Sequence, residues 1–152
     1  MVQLVQTSYL QMKVVIFLLL TSSCHGFLPR HLQSVGVQGK LRCNGKPLDR
    51  AGLQLHESGG YAKDYLMSST IPDKTGSFKF FGTTEAVFMM RPVLRIFHRC
   101  NYKGTCPARA ELRVPKNYVV EGLADKIVKF YDFGVLDLIN TKSTPNCAFD
   151  YP

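Results

Sequence analysis

Val35-Gly36-Val37-Gln38-Gly39-Lys40-Leu41-Arg42-Cys43 runs directly into Asn44-Gly45-Lys46-Pro47. Val35, Val37, Gly39, Leu41 and Cys43 share one parity, and Gly36, Gln38, Lys40 and Arg42 share the other. That two-residue period marks a strand with one face in a core and one in water. Asn-Gly is the pair that best tolerates positive φ, so the strand ends in a tight turn.

Downstream the same period returns. Leu53 and Leu55 start a second strand that runs to about Glu57 and stops at Ser58-Gly59-Gly60. Asp73-Lys74-Thr75-Gly76 is a turn into Phe78 and Phe80, and Gly82-Thr83-Thr84-Glu85 is read as breaking that strand. Val87-Phe88-Met89-Met90 is a short apolar run stopped before Pro92. In 93–100, Leu94, Ile96, His98 and Cys100 face one way and Val93, Arg95, Phe97 and Arg99 the other. In 109–114, Ala110, Leu112 and Val114 oppose Arg109, Glu111 and Arg113. Residues 101–105 suit a hairpin between the two. Asn117 to Asp125 is a loop or one helical turn. The last strand spans 127–138, with Gly134 as a bulge. No window holds a helical period. About seven short strands with regular turns make an all-β protein, an antiparallel two-sheet sandwich.

The chain has 152 residues, 45% hydrophobic and 20% charged, with 19 Lys and Arg against 11 Asp and Glu. That is one domain's worth, with a core large enough to fold alone, and neither a disordered chain nor a multidomain enzyme. Upstream of the first strand, Lys13 precedes the apolar run Val14-Val15-Ile16-Phe17-Leu18-Leu19-Leu20, and Thr21-Ser22-Ser23-Cys24-His25-Gly26 follows. A basic flank, a short apolar run and small residues read as a secretory signal peptide over 1–26, with Met12 as an alternative start. The run is far shorter than the roughly 20 residues a membrane span needs. The expected organisation is then a short leader over 27–34, a sandwich domain over 35–147 and a tail over 148–152.

Cleavage removes Cys24 and leaves Cys43, Cys100, Cys106 and Cys147. An even set in an extracellular domain implies disulfides, with three pairings possible. A zinc site is disfavoured, since no second close pair completes the ligands beside Cys100, Cys106 and His98.

The ordered pieces 35–47, Gly76-Ser77-Phe78, Ile96-Phe97-His98-Arg99-Cys100, Val114-Pro115-Lys116-Asn117-Tyr118, Tyr131-Asp132-Phe133-Gly134 with Leu138, and the late Cys147 resemble the secreted transthyretin-like family of nematodes. The resemblance implies an extracellular, transthyretin-like (prealbumin-like) sandwich of two sheets. It implies no reaction, because fold does not fix function. The stretch Gly59-Gly60-Tyr61-Ala62-Lys63-Asp64-Tyr65 replaces the acidic segment usual there. In that topology the first and last main strands run side by side, which implies Cys43–Cys147. The short loop then leaves Cys100–Cys106 as the second expected bridge.

The tail lacks the Tyr-Arg-Gly-Ser ending of the related hydroxyisourate hydrolases. No nucleophile elbow, phosphate-binding glycine loop, zinc-binding helix motif or calcium loop occurs, so the chain is read as no enzyme, with no cofactor and no metal. His98 is read as a hydrogen-bonded, partly buried residue. Charge carries the remaining signal. Between Arg91 and Lys116 seven cations stand against Glu111 alone. Alternation places Arg95, Arg99, Arg109 and Arg113 on one sheet face if their strands pair, with Phe97 between them. Like charges across strands repel, so salt bridges to acids elsewhere are the other outcome. Guanidinium pairs with phosphate, sulfate and carboxylate. The expected activity is binding to an anionic lipid surface, a sulfated glycan or a cell-surface receptor, and the secretory signal argues against nucleic acid. A carrier of a small apolar ligand is the alternative.

Overall fold

Alternating apolar and polar residues become ten strands in two sheets in the computed structural model, which describes residues 11–17, 29–59 and 63–147. Residues 11–17 are helical. The rest of the segment read as a signal peptide, its cleavage region, residues 60–62 and the tail 148–152 lie outside the described residues. No helix among the described residues is long and apolar enough to cross a membrane.

The first sheet is built on β1 (His31–Cys43), which pairs with β2 (Lys46–Pro47), β5 (Ser77–Ala86), β8 (Val120–Glu121) and β9 (Tyr131–Asp137). The second is ordered β10 (Ser143–Pro145), β7 (Ala108–Arg113), β6 (Pro92–His98), β3 (Gly52–Glu57) and β4 (Tyr65–Thr70). All pairs are antiparallel except β1 with β9, the side-by-side parallel pair implied by the family topology. Seven of the strands have six or more residues; β2, β8 and β10 are pieces of two or three.

The strand faces follow from the sequence parity. Val35, Val37 and Leu41 from β1, Phe78 and Phe80 from β5, Leu53 and Leu55 from β3, Leu94 and Ile96 from β6, and Ala110 from β7 fill the space between the sheets. Each large aliphatic removed from water there contributes about 1.5–3 kcal/mol before chain entropy is counted. Asn44 (φ 53°) and Gly45 (φ 73°) make the tight turn into β2. Gly76 (φ 78°) lies against the backbone of Leu41, whose N–H donates to Gly76 O at 2.8 Å. The β1–β9 register shifts between Gln38 and Lys40, opposite Gly134, where a bulge was expected.

Several boundaries differ from the sequence reading. β1 begins at His31 and takes in residues 31–34 assigned to a leader, because they pair with Thr83–Ala86 of β5. β5 correspondingly runs through Gly82-Thr83-Thr84-Glu85 instead of breaking there. β4 was not foreseen. The final long strand starts at Tyr131, and residues 124–126 ahead of it form a 3-10 turn.

Both expected disulfide pairings are overturned. The bonds are Cys43–Cys100, with Cα atoms 5.6 Å apart, and Cys106–Cys147, with Cα atoms 4.8 Å apart. The cause is topological. Cys43 closes β1 in one sheet and Cys100 follows β6 in the other, so this bond staples the two sheets. β10 then lies antiparallel on β7 with Pro145 opposite Ala108, and Asn146 N–H donates to Pro107 O at 2.9 Å. That return places Cys147 beside Cys106 instead of at the end of β1.

Candidate binding surface

The outer face of the second sheet carries the residues singled out by charge. β6 and β7 pair as a hairpin with Val93 opposite Arg113, Arg95 opposite Glu111 and Phe97 opposite Arg109. Residues directly opposite in an antiparallel pair share a face. Arg95, Arg109 and Arg113 are therefore brought together, with Phe97 buried among them at 4% exposure. Arg99 is not part of this group. It lies past the end of β6, where Nη1 donates to Gly104 O (2.9 Å) and Nη2 to Thr105 O (3.0 Å), ordering the loop before Cys106.

Arg95 is the hub of a polar network. Its Nη2 pairs with Asp64 Oδ2, its Nε donates to Glu111 Oε1 at 2.7 Å, and its Nη1 lies 3.3 Å from His56 Nδ1. His56 Nε2 is 2.9 Å from Gln54 Oε1. An amide oxygen only accepts, so Nε2 carries the proton and Nδ1 accepts from Arg95. Burial and then the Arg95 charge push the His56 pKa below its ordinary value, against the opposing pull of Asp64 and Glu111. Burial works to raise the Asp64 pKa, but hydrogen bonds from Arg95 and Gly59 N–H outweigh it and hold the carboxyl below its usual range. Arg109 Nε sits 3.4 Å from Glu111 Oε1 and is buried without a hydrogen bond.

The repulsion expected between cross-strand guanidinium groups is thus relieved by two acids, Glu111 from the opposite strand and Asp64 from the loop before β4. Asp64 and Gln54 were not anticipated. Gln54 and His56 sit on the outward parity of β3, but nothing in the spacing ties Asp64 to Arg95. The remaining cations keep their charge to themselves. Arg91, Arg99, Lys103, Arg113 and Lys116 are exposed, and among the described residues none has a carboxylate within ion-pair distance. Arg91, Arg113 and Lys116 gather where β6 starts and β7 ends; Arg99 and Lys103 lie at the other end of the hairpin.

His98 occupies the opposite face of β6. It is 2% exposed, accepts the Cys100 N–H at Nδ1 (3.2 Å) and meets Ser143 Oγ at Nε2 (3.0 Å). Ser143 Oγ donates onward to Thr141 O at 3.1 Å, so Nε2 is the donor to Ser143. Burial lowers the His98 pKa. Both ring nitrogens are committed to structural bonds, as expected for a hydrogen-bonded core histidine.

Fold and covalent frame define a small two-sheet β-sandwich closed by two cystines, with an outward basic hairpin. The model of the Transthyretin-like family matches residues 38–115. Transthyretin-like protein 5 of Caenorhabditis elegans is 33% identical over 129 residues, 84% of this chain and 91% of that protein. Transthyretin-like protein 1 of the same organism is 34% identical over 146 residues, covering 88% and 91%. Transthyretin-like protein 2 is 35% identical over 114 residues, covering 70% and 75%. The chain belongs to the transthyretin-like family. A solved 9R-lipoxygenase from Cyanothece overlaps 68% of the chain and 16% of its own length at 18% identity and a TM-score of 0.40, too low a likeness for any conclusion.

Proposed function

We propose that the chain is a secreted, non-enzymatic binding protein whose β6–β7 hairpin meets an anionic surface: phospholipid head groups, a sulfated glycan or an acidic receptor patch. Residues 1–26 serve as the signal peptide in this reading, and the two disulfides suit the oxidising route it implies. The observation that supports the binding role is the group of exposed cations, Arg91, Arg113 and Lys116, at one end of the hairpin, without acidic partners among the described residues. Arg95 holds the platform together through Asp64 and Glu111, and Arg113 faces solvent beside it. Each cation brought to an anionic membrane adds about 1 kcal/mol, fading beyond a Debye length of about 8 Å.

The test is sedimentation with vesicles of phosphatidylcholine alone or with phosphatidylserine, alongside a heparin column, each across a salt series. Binding that needs the anionic component, weakens with salt and drops in Arg91→Glu/Arg113→Glu supports the reading. Absence of binding at low salt, or binding indifferent to both charge reversals, refutes it. Salt-insensitive uptake of an apolar probe would favour the carrier alternative instead.

A further inference from the structure

All four disulfide cysteines line one cavity of about 770 Å³ at the end of the sandwich where β1 and β6 finish, together with Arg50 and Arg99. We propose that Cys106–Cys147 is an exchangeable disulfide that takes anionic low-molecular-weight thiols in this cavity, while Cys43–Cys100 stays closed.

Thiol–disulfide exchange requires a thiolate to reach one sulfur and the other sulfur to leave. The two bonds differ in both respects. Cys100 is 7% exposed and Cys43 packs against the core. Each is anchored in a long strand or directly behind one, so a sulfur released there stays beside its partner. Cys147 is exposed and Cys106 is half-buried. Cys147 is anchored through the three-residue β10 and the Asn146–Pro107 bond, a shorter run of pairing than β1 or β6 gives the other bond, so its sulfur moves away more readily once freed.

The cavity also selects the reagent. Arg99 is fixed by its bonds to Gly104 O and Thr105 O, the two residues before Cys106, and Arg50 shares the cavity wall. Cations in the wall draw in an anionic thiol and lower the pKa of a departing thiol, which speeds its departure. The incoming thiolate attacks Cys147 Sγ and forms a mixed disulfide there. The Cys106–Cys147 bond breaks, and Cys106 leaves as a thiolate that takes a proton from water. A second thiolate attacks the sulfur of the first thiol. This releases the low-molecular-weight disulfide and leaves Cys147 as a thiolate, which is also protonated by water. Two thiols are oxidised and one cystine is reduced. Loss of the bond frees β10 from β7 and uncovers the edge of the basic hairpin.

The experiment treats the oxidised protein with reduced glutathione, cysteamine or mercaptoethanol at equal thiolate concentrations. Samples are quenched with iodoacetamide and mapped by mass spectrometry. Labelling and mixed disulfide at Cys106 and Cys147 should outpace labelling at Cys43 and Cys100 by about tenfold or more. Anionic glutathione should outrun cationic cysteamine, and that preference should shrink at high salt and in Arg50→Gln. Opening of Cys43–Cys100 at an equal or greater rate overturns the proposal. So does a cysteamine rate matching that of glutathione at low salt. The salt series decides the charge argument even if Arg50→Gln folds poorly.

Discussion

Acid should loosen this sandwich through a single buried ring. His98 is neutral in the folded protein, with Nδ1 accepting from Cys100 N–H and Nε2 donating to Ser143. A proton on Nδ1 would point at a donor inside the core, so the folded state resists it, and burial lowers the pKa from its ordinary value of 6.5. The unfolded chain binds a proton there that the folded chain refuses, so stability is full above pH 6.5 and falls as pH drops below it. Linkage caps the loss at about 2 kcal/mol relative to pH 7.5, the limit in which folded His98 takes no proton at pH 5. His56 adds to the same window, offset in part by Asp64 and Glu111. Asp64, Asp73, Asp132 and Asp137 contribute little between pH 5 and 6.5, because their pKa values are lowered from 3.8. The assay is urea unfolding of the oxidised protein at pH 7.5 and pH 5, where 2 kcal/mol corresponds to a midpoint shift of about 1 M. His98→Gln should be less stable at pH 7.5 but should lose most of the shift, and His56→Gln/His98→Gln should be nearly flat. A His98→Gln protein with the full wild-type acid slope would refute the reasoning.

Three further outcomes are expected. Gly76→Ala places a methyl group against the Leu41 carbonyl oxygen at a positive φ, and should cost about 2–4 kcal/mol in urea unfolding. Cys43→Ala/Cys100→Ala opens a bond spanning 57 residues; the chain-entropy relation gives a loss of about 4 kcal/mol, read from the urea midpoint, with far-UV dichroism still that of a β protein if the variant folds. Asp137 accepts the N–H groups of Asn44 (3.1 Å) and Gly45 (2.7 Å), so Asp137→Ala should accelerate hydrogen exchange at those two amides while leaving the β3–β6 amides protected.

Much of the sandwich was legible because burial imposes parity. Val35, Val37 and Leu41, or Leu94 and Ile96, can face the core only if their neighbours face water, and that alternation is written in one dimension. The β1–β2 turn was equally local, since Asn44-Gly45 carries its own geometry. What escaped was set by partners far along the chain. The three residues Ser143-Thr144-Pro145 have no strand pattern of their own and pair only because β7 offers an edge; missing them led to the wrong cystines. The basic face was readable as a count of charges. Its neutralised centre was not, because Asp64 reaches Arg95 from a loop 31 positions earlier, and no periodicity records that approach. Arg99 looked equivalent to Arg95 by parity, but the strand ends before it and its donors turn to the loop carbonyls.

The order of the cystines has a consequence for biosynthesis. Among the four bonded cysteines Cys43 joins the next along the chain, Cys100, and Cys106 joins the next, Cys147, so the two covalent rings follow one another without overlapping. An oxidase acting on the polypeptide as it is made, N-terminus first, can seal the first ring before the second pair is complete. Once Cys24 has left with the proposed signal peptide, pairing by order of appearance gives the native linkages.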